Sequence, residues 1–197
     1  MKIYLSVLLF CSLLFGCSAT PVKRQDFLLS AERTENKVAS APSFGVLQVN
    51  DLRASRPYNT QSLIYRESAQ RFVLDPHNGF LAPPAQQISM QTRERLSRSG
   101  LFSAVLPQGS TLAAPWKLEG ELINFFIDVS TPAKPTITLE IRYALSNDNQ
   151  ATPKVFLLSS SEAIVDASPE QAVIGFNRAL NAILLQLEAS LLGAKPQ

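Results

Sequence analysis

Two segments in the second half of the chain alternate between apolar and polar residues, the pattern of β-strands with one buried face. The alternation is unbroken in residues 136–146, whereas in residues 116–128 it breaks at the sequence INFFID. Such a break predicts a β-bulge or burial on both faces. The linker TPAKP is short enough that the two segments should be neighbouring antiparallel strands of one sheet.

The last part of the chain changes to a helical period. Ser168 is a favourable N-cap, Pro169 suits the first helical position, and Gln171 would complete a capping box. Apolar residues then recur at spacings of three and four, at Val173, Phe176, Leu180, Ile183, Leu187 and Leu191. We predict a long helix that lies across the sheet as part of the core, with a partner-binding role for its far end as the alternative.

A second helix is predicted over residues 85–100, ending at Gly100. Its inner side should carry Ile88, Thr92 and Leu96. Three arginines, Arg93, Arg95 and Arg98, would give it a basic side. That side is expected either to be solvated or to meet lipid phosphates.

Shorter elements complete the predicted fold. The sequence DPHNG at residues 75–79 combines Pro, Asn and Gly and predicts a turn. We predict an α+β fold, in which a mainly antiparallel or mixed twisted sheet carries two main helices in a single domain. The further strands are predicted at residues 26–32, 44–51, 62–67, 71–74, 101–106 and 154–165, with residues 62–67 and 71–74 forming a hairpin.

The first residues of the chain have the layout of a signal peptide. Lys2 precedes an uncharged apolar run over residues 3–15, which is too short to span a bilayer comfortably as a permanent helix. Gly16 then stands directly before Cys17, with Leu14 two places before Gly16. This arrangement resembles the lipobox of bacterial lipoproteins. The resemblance implies cleavage before Cys17, whose thiol would carry a diacylglycerol and whose new amino group would be acylated, for example by palmitate.

The predicted boundaries follow from this cleavage. Residues 1–16 form the signal peptide, residues 17–25 a lipidated tether and residues 26–193 the domain. Ser18 follows the lipidated cysteine where an Asp would favour retention in the inner membrane, so we predict the periplasmic face of the outer membrane. An ordinary secreted protein with an incidental cysteine is the alternative.

The remaining chemistry argues against catalysis and against metal or nucleic-acid binding. Cys11 would leave with the signal peptide and Cys17 would become a thioether, so no thiol remains for a disulfide, a metal or a nucleophile. The single histidine, His77, lies in the predicted turn, and no hydrolase, zinc or phosphate-loop motif occurs. Basic and acidic residues are nearly balanced, 18 against 16, without a basic stripe. We expect no catalytic residues, no metal, no cofactor and no nucleic-acid partner.

Residues 44–126 carry a longer pattern. Tyr58 precedes a strand with Leu63, Tyr65 and Arg66, and a junction of Phe80, Pro83 and Pro84 leads into the helix. The pattern closes with Leu96, Ser99, Phe102 and Val105. This order of features resembles the ABC-type transport auxiliary lipoproteins, which belong to MCE-type lipid transport systems.

The resemblance implies a noncatalytic binding or scaffold lipoprotein. Its partners would be a periplasmic MCE-domain protein with an ABC permease and ATPase, which move phospholipids or other hydrophobic molecules between the two membranes, and a homo-oligomer is compatible with it. The alternatives are an envelope-assembly or activator lipoprotein of another pathway, such as lipopolysaccharide insertion, and a hydrolase whose site the motifs do not reveal.

Tyr58, Tyr65 and Arg66 are the candidate docking residues. Neighbours on a strand point to opposite faces, so Tyr65 and Arg66 should not share one core. In a structural account Tyr65 packs against the final helix and Arg66 pairs with a carboxylate, such as Asp75 or one on a strand beside Glu67. In a docking account Arg66 and Tyr58 bind the MCE protein or another copy of the chain.

Overall fold

A computed structural model describes residues 23–31, 38–149 and 151–194. Within them the chain forms one nine-stranded mixed sheet and two α-helices, which confirms the predicted single-domain α+β fold. The helices are α1 (Pro84–Ser97) and α2 (Pro169–Gly193). The strands are β1 (Gln25–Phe27), β2 (Phe44–Val49), β3 (Arg53–Ala54), β4 (Ser62–Arg66), β5 (Phe72–Phe80), β6 (Phe102–Val105), β7 (Trp116–Asp128), β8 (Thr136–Asn147) and β9 (Lys154–Ala163).

Strand β7 lies at the centre of the sheet. It pairs antiparallel with β8 along its whole length, from Trp116 opposite Asn147 to Asp128 opposite Thr136. Its other edge receives β2, β3 and β4 in succession, all parallel. Strand β6 lies beyond β2, β5 and β1 lie beyond β4, and β9 lies beyond β8. The sheet is therefore mixed, with antiparallel pairs β4–β5, β7–β8 and β8–β9 and parallel pairs elsewhere.

The apolar positions of β7 and β8 face the two helices. On β8 every second residue is fully buried, at Ile137, Leu139, Ile141, Tyr143 and Leu145. The register of β7 against β8 shifts between Leu122 and Asn124, which confirms the predicted bulge. Phe125 and Phe126, just after the shift, are both buried although they point to opposite faces.

Helix α2 packs closely on the sheet through its predicted apolar side, all six residues of which are buried. Phe176 stacks on Phe125 with a ring-centroid distance of 4.0 Å. A Cβ atom at Gly175 would lie 2.5 Å from Cγ1 of Ile137 and 2.6 Å from Cγ2 of Ile164, so the absence of a side chain permits this approach.

The start of α2 differs from the prediction in one detail. Ser168 is the N-cap residue and Pro169 opens the helix, but the Ser168 side chain makes no capping hydrogen bond, so the capping box is not formed. Instead the Ser168 backbone N–H donates to Oδ1 of Asp166 at 2.9 Å. Asp166 therefore fixes the backbone of Ser168, a role that the prediction gave to the capping box of Ser168 and Gln171.

Helix α1 buries Ile88, Thr92 and Leu96 as predicted, but the predicted basic side is wrong. Arg95 follows Thr92 by three residues and therefore shares its inner side. Its Nε donates to Oε2 of Glu188 on α2 at 3.1 Å, and both side chains are only 1% exposed. Of the other two arginines, Arg93 donates to the carbonyl of Val49 and Arg98 pairs with Glu94.

Two local predictions in the first half of the chain also change. The DPHNG segment is not a turn between elements but part of β5, in which Oδ1 of Asp75 accepts the N–H groups of His77 and Asn78 at 2.8 and 2.9 Å. The turn-forming residues therefore produce a local irregularity within a strand. The strand predicted at residues 26–32 shortens to β1, which begins at Gln25 in the last position of the predicted tether. The hairpin between β4 and β5 is confirmed.

Gly175 provides a test of the contact between α2 and the sheet. We expect Gly175→Ala to lower the free energy of unfolding by about 1–3 kcal/mol, because overpacking outweighs the gain in helix propensity. Gly193→Ala, at a position of the same helix with nothing within 4 Å, should be neutral or slightly stabilising. Urea unfolding of both variants measures the difference, and equal stabilities would contradict the close approach.

The buried pair of Arg95 and Glu188 generates a second prediction. Glu188→Ala leaves a buried guanidinium without its carboxylate and should cost about 3–5 kcal/mol of stability. Replacing both residues, as Arg95→Met with Glu188→Leu, should restore most of that loss because apolar side chains replace the buried ion pair. Thermal unfolding of the single and double variants tests this, and a double variant no more stable than Glu188→Ala would refute it.

Candidate docking site on the uncovered face of the sheet

The face of the sheet opposite the helices carries mainly polar residues from β7 and β8. They pair with one another across the strands: Arg142 Nη1 lies 2.9 Å from Oε2 of Glu121, and Asn124 Nδ2 donates to Oε2 of Glu140 at 2.5 Å. The alternation that buries one side of these strands places this polar set on the other. In the described residues no helix covers this face, so we call it the uncovered face.

Arg66 lies at one end of this face, where β4 runs parallel to β7. This pairing sets Arg66 opposite Asp128, and the two side chains form a salt bridge. The guanidinium carbon of Arg66 also lies 4.7 Å from the ring centroid of Phe126, a cation–π distance. Nε of Arg66 is buried without a hydrogen-bond partner in the part of the chain that the structure describes.

The carboxylate of Asp128 is held ionised by its neighbours. Partial burial acts to raise its pKa, but hydrogen bonds from the hydroxyl and backbone N–H of Ser130 and from Arg66 outweigh burial and lower the pKa below its usual value. Both Ser130 groups bond Oδ1, at 2.7 and 3.0 Å, which leaves Oδ2 for Arg66. Asp128 is therefore a fixed negative charge that orients the guanidinium.

Tyr58 reaches the same cluster from the loop that follows β3. Its backbone N–H donates to the carbonyl of Ser55 at 2.8 Å, closing a turn that contains the cis peptide bond Arg56–Pro57. The ring is buried near Phe126, and its hydroxyl donates to Oδ1 of Asn124 at 3.1 Å. Burial raises the pKa of Tyr58, partly offset by the charge of Arg66.

Tyr65 points to the opposite face, as the strand alternation predicts. Its hydroxyl donates to the carbonyl of Ala167 at 3.3 Å, just before α2 begins. Burial, together with the negative charges of Asp75 and Glu170, raises the pKa of Tyr65 to about 12. Tyr65 therefore connects β4 to the start of α2 and does not belong to the uncovered face.

The structure thus brings two of the three candidate docking residues together. Arg66 and Tyr58 meet around Phe126, while Tyr65 lies behind the sheet. Of the two carboxylates predicted for Arg66, Asp75 is not the partner, because Phe72 is the β5 residue opposite Arg66 and Asp75 bonds its own strand. The partner is Asp128 on the neighbouring strand β7, which agrees with the second alternative. The Arg66 side chain keeps 34% of its surface exposed, whereas Tyr58 is buried. A docking role for these residues remains a prediction.

Sequence reasoning missed three members of this cluster: Asp128, Phe126 and Phe72. The ring of Phe72 meets that of Phe126 edge to face at 5.6 Å. The broken alternation at INFFID was the available signal, because it marks where an aromatic residue faces away from the helices. The parallel pairing of β4 with β7 has no comparable signal.

Other predicted sites are placed as follows. His77 is exposed on β5. No group of three or more His, Cys, Asp or Glu side chains suited to a metal ion occurs among residues 23–31, 38–149 and 151–194. Nor does either helix of these segments have the length and hydrophobicity needed to cross a membrane. Cys17 and the predicted signal peptide lie outside the described residues.

The fold is shared with several solved structures. A Xanthomonas campestris protein of the DUF330 family superposes with a TM-score of 0.74 at 14% identity, over 86% of this chain and 96% of that one. An uncharacterized protein gives 0.67 at 10% identity, over 86% and 99%. A hypothetical protein from Chlamydia trachomatis gives 0.53 at 12% identity, over 76% and 99%. No family model matches the sequence, and no curated protein is significantly similar to it. At these identities the similarity establishes the fold alone.

The lowered pKa of Asp128 predicts how the cluster responds to acid. A carboxyl whose pKa is lower in the folded state stabilises the fold above its unfolded-state pKa of about 3.9, and the contribution is lost as the pH falls through the folded-state pKa. Asp128→Asn should therefore reduce stability by about 1 kcal/mol near neutral pH, and the difference from the wild type should shrink toward pH 3.

Thermal unfolding at several pH values measures this difference. Asp148→Asn is the matched control, because its pair with Lys117 is mostly exposed and should contribute little at any pH. A deficit of Asp128→Asn that grows on acidification would contradict the assignment.

Proposed function

We propose that this protein is a noncatalytic, lipid-anchored lipoprotein of the outer membrane that acts as a binding partner of a periplasmic MCE-domain protein in an ABC-type lipid transport system. The observation that carries the proposal is the lipobox-like Gly16–Cys17, placed eight residues before the start of β1 at Gln25. Eight extended residues span at most about 28 Å, so the anchor would keep the whole domain close to its membrane. A component that receives a partner at a membrane surface needs that proximity.

The end of the uncovered face around Arg66 supplies the binding surface in this proposal. There Arg66 pairs with Asp128 and presents part of its guanidinium above Phe126. The Arg66 side chain keeps 34% of its surface exposed, so it can meet a partner while its salt bridge to Asp128 fixes its orientation. We take Arg66 as the centre of the surface, with buried Tyr58 and Phe126 supporting it from below.

The anchor is tested by replacing Cys17. Cys17→Ala should move the protein from the membrane fraction to the soluble periplasmic fraction, because the thiol that would carry the diacylglycerol is missing. The wild-type protein should separate with outer-membrane markers on a density gradient. A Cys17→Ala variant that stays with the membranes would reject the anchor, and a wild-type protein found only with inner-membrane markers would reject the assigned membrane.

The docking surface is tested by Arg66→Ala. Loss of the partly exposed salt bridge and cation–π contact should cost about 1–2 kcal/mol, or a few degrees in Tm, and leave the protein folded. Co-purification with the MCE-domain protein, measured well below that Tm, should be lost.

Arg142→Ala is the matched control, since Arg142 lies on the same face in an exposed pair with Glu121. It should keep both its Tm and the partner. An Arg66→Ala protein that melts lower but still co-purifies when folded would make Arg66 structural. If neither property changes, the surface is misplaced, and another envelope pathway becomes the better hypothesis.

A further inference from the structure

The outer end of the β4–β5 hairpin exposes three consecutive large apolar side chains. Phe72, Val73 and Leu74 are 39%, 37% and 50% exposed. Neighbours on a strand point to opposite faces, so this end of the hairpin is partly exposed on both sides. Single exposed apolar residues are ordinary, but a continuous set at the tip of a hairpin indicates a contact with something apolar.

Other exposed groups lie at the same end of the molecule. In the strand register Arg66 of β4 lies opposite Phe72 of β5 on one side and opposite Asp128 of β7 on the other. The hairpin end therefore lies beside the end of β7 and the loop that follows it. Strand β9 also ends here, with Ala163 opposite Thr136, and Val165 just beyond it is 85% exposed. Phe72, Val73, Leu74 and Val165 thus lie at the same end of the sheet.

The first described residues enter the sheet from this end. Strand β1 is parallel to β5, with Gln25 opposite Asn78, so Lys23 and Arg24 precede β1 on the side of Leu74. The four steps from Leu74 to Asn78 span at most about 13 Å, because β5 is irregular there. Cys17 precedes Lys23, the first described residue, by six positions, a reach of up to about 20 Å. An anchor at Cys17 therefore lies within reach of the hairpin end.

We propose that the hairpin end contacts the phospholipid leaflet that holds the Cys17 lipid, with Phe72, Val73 and Leu74 inserted at the membrane interface. This inference rests on the proposed lipidation. Two ion pairs flank this end, Arg71 with Glu67 at 2.8 Å and Arg24 with Asp26 at 2.7 Å, and the three inserted side chains are apolar, so zwitterionic phospholipid suffices. Three side chains are too few to hold a domain on a bilayer, and the anchor supplies the high local concentration.

A strand from another protein is the competing occupant of this region. Strand β1 pairs with β5 only at residues 78–80, so the described residues leave the outer edge of Phe72–His77 open to strand addition. An added strand would bond the backbone but leave both faces of the hairpin end exposed. Lipid would surround the tip from both sides, and the six positions between Cys17 and Lys23 allow the proposed lipid anchor to reach it.

The test places a fluorescent label at Leu74. Cys11 and Cys17 are the only cysteines in the sequence, so the processed lipoprotein would offer no other thiol. The full-length Leu74→Cys lipoprotein is labelled with nitrobenzoxadiazole and reconstituted into phosphatidylcholine–phosphatidylethanolamine vesicles that contain doxyl-labelled lipid. Leu112→Cys is the matched control, because Leu112 is 68% exposed and precedes Trp116 at the other end of β7. Val73→Cys is a second site in case Leu74→Cys lowers the Tm.

We expect lipid quenching at position 74 to be severalfold stronger than at position 112. Equal, weak quenching at both positions overturns the inference. So does a label at position 74 that is shielded from aqueous iodide but not quenched by lipid, because protein would then cover the tip. Flotation distinguishes a failed membrane contact from a failed anchor. If the labelled and folded Leu74→Cys and Leu112→Cys proteins do not float with vesicles, the proposed lipidation is overturned. Protein that floats without quenching at position 74 overturns the membrane contact alone.

Discussion

The hydrogen-bonding capacity of β7 determines where almost every other element lies. One 13-residue strand fills one edge with β8 and shares the other among β2, β3 and β4. A shift of one residue in any of these pairings would move its side chains to the wrong face. Gly120 shows how closely the first half of the chain approaches β7, since a Cβ atom there would lie 2.7 Å from Cγ of Leu52. The uncovered face and the face that carries the two helices are therefore the two sides of the sheet built around β7.

The two helices make the faces unequal. Both lie on the side of Ile137 and Leu139, where Phe125 stacks on Phe176 and Arg95 joins α1 to α2 through Glu188. On the opposite side the described residues place no helix, and the loop with Tyr58 packs near Phe126. Arg66 lies at the edge of that packing. Its position, partly packed and partly open, is what distinguishes it from the other arginines of this face.

Local sequence patterns predicted the second half of the fold well. The extent of β7, the β7–β8 pairing, the bulge after Leu122 and the buried side of α2 all follow from the spacing of apolar residues. The opposite orientations of Tyr65 and Arg66 followed from the same alternation. What could not be predicted depends on residues far apart in the chain: β4 pairs with β7 across 62 positions to bring Arg66 to Asp128, and Arg95 meets Glu188 across 93. From sequence alone, a charged residue on a helix is predicted to be solvated unless its partner on another helix is known.

The position of β7 in the chain has a consequence for the order of assembly. In the described sheet β7 alone joins the β1–β5–β4 group to the β2–β6 pair. Because the chain is synthesised from its N-terminus, six strands have been made before β7, the strand that joins them, exists. The β7–β8 hairpin is local and forms readily, whereas the parallel pairings close long loops and form slowly. Until the parallel pairings form, the open edges of β2 and β4 are available to other chains. The protein is therefore most prone to aggregation while the last third of the chain is still being synthesised.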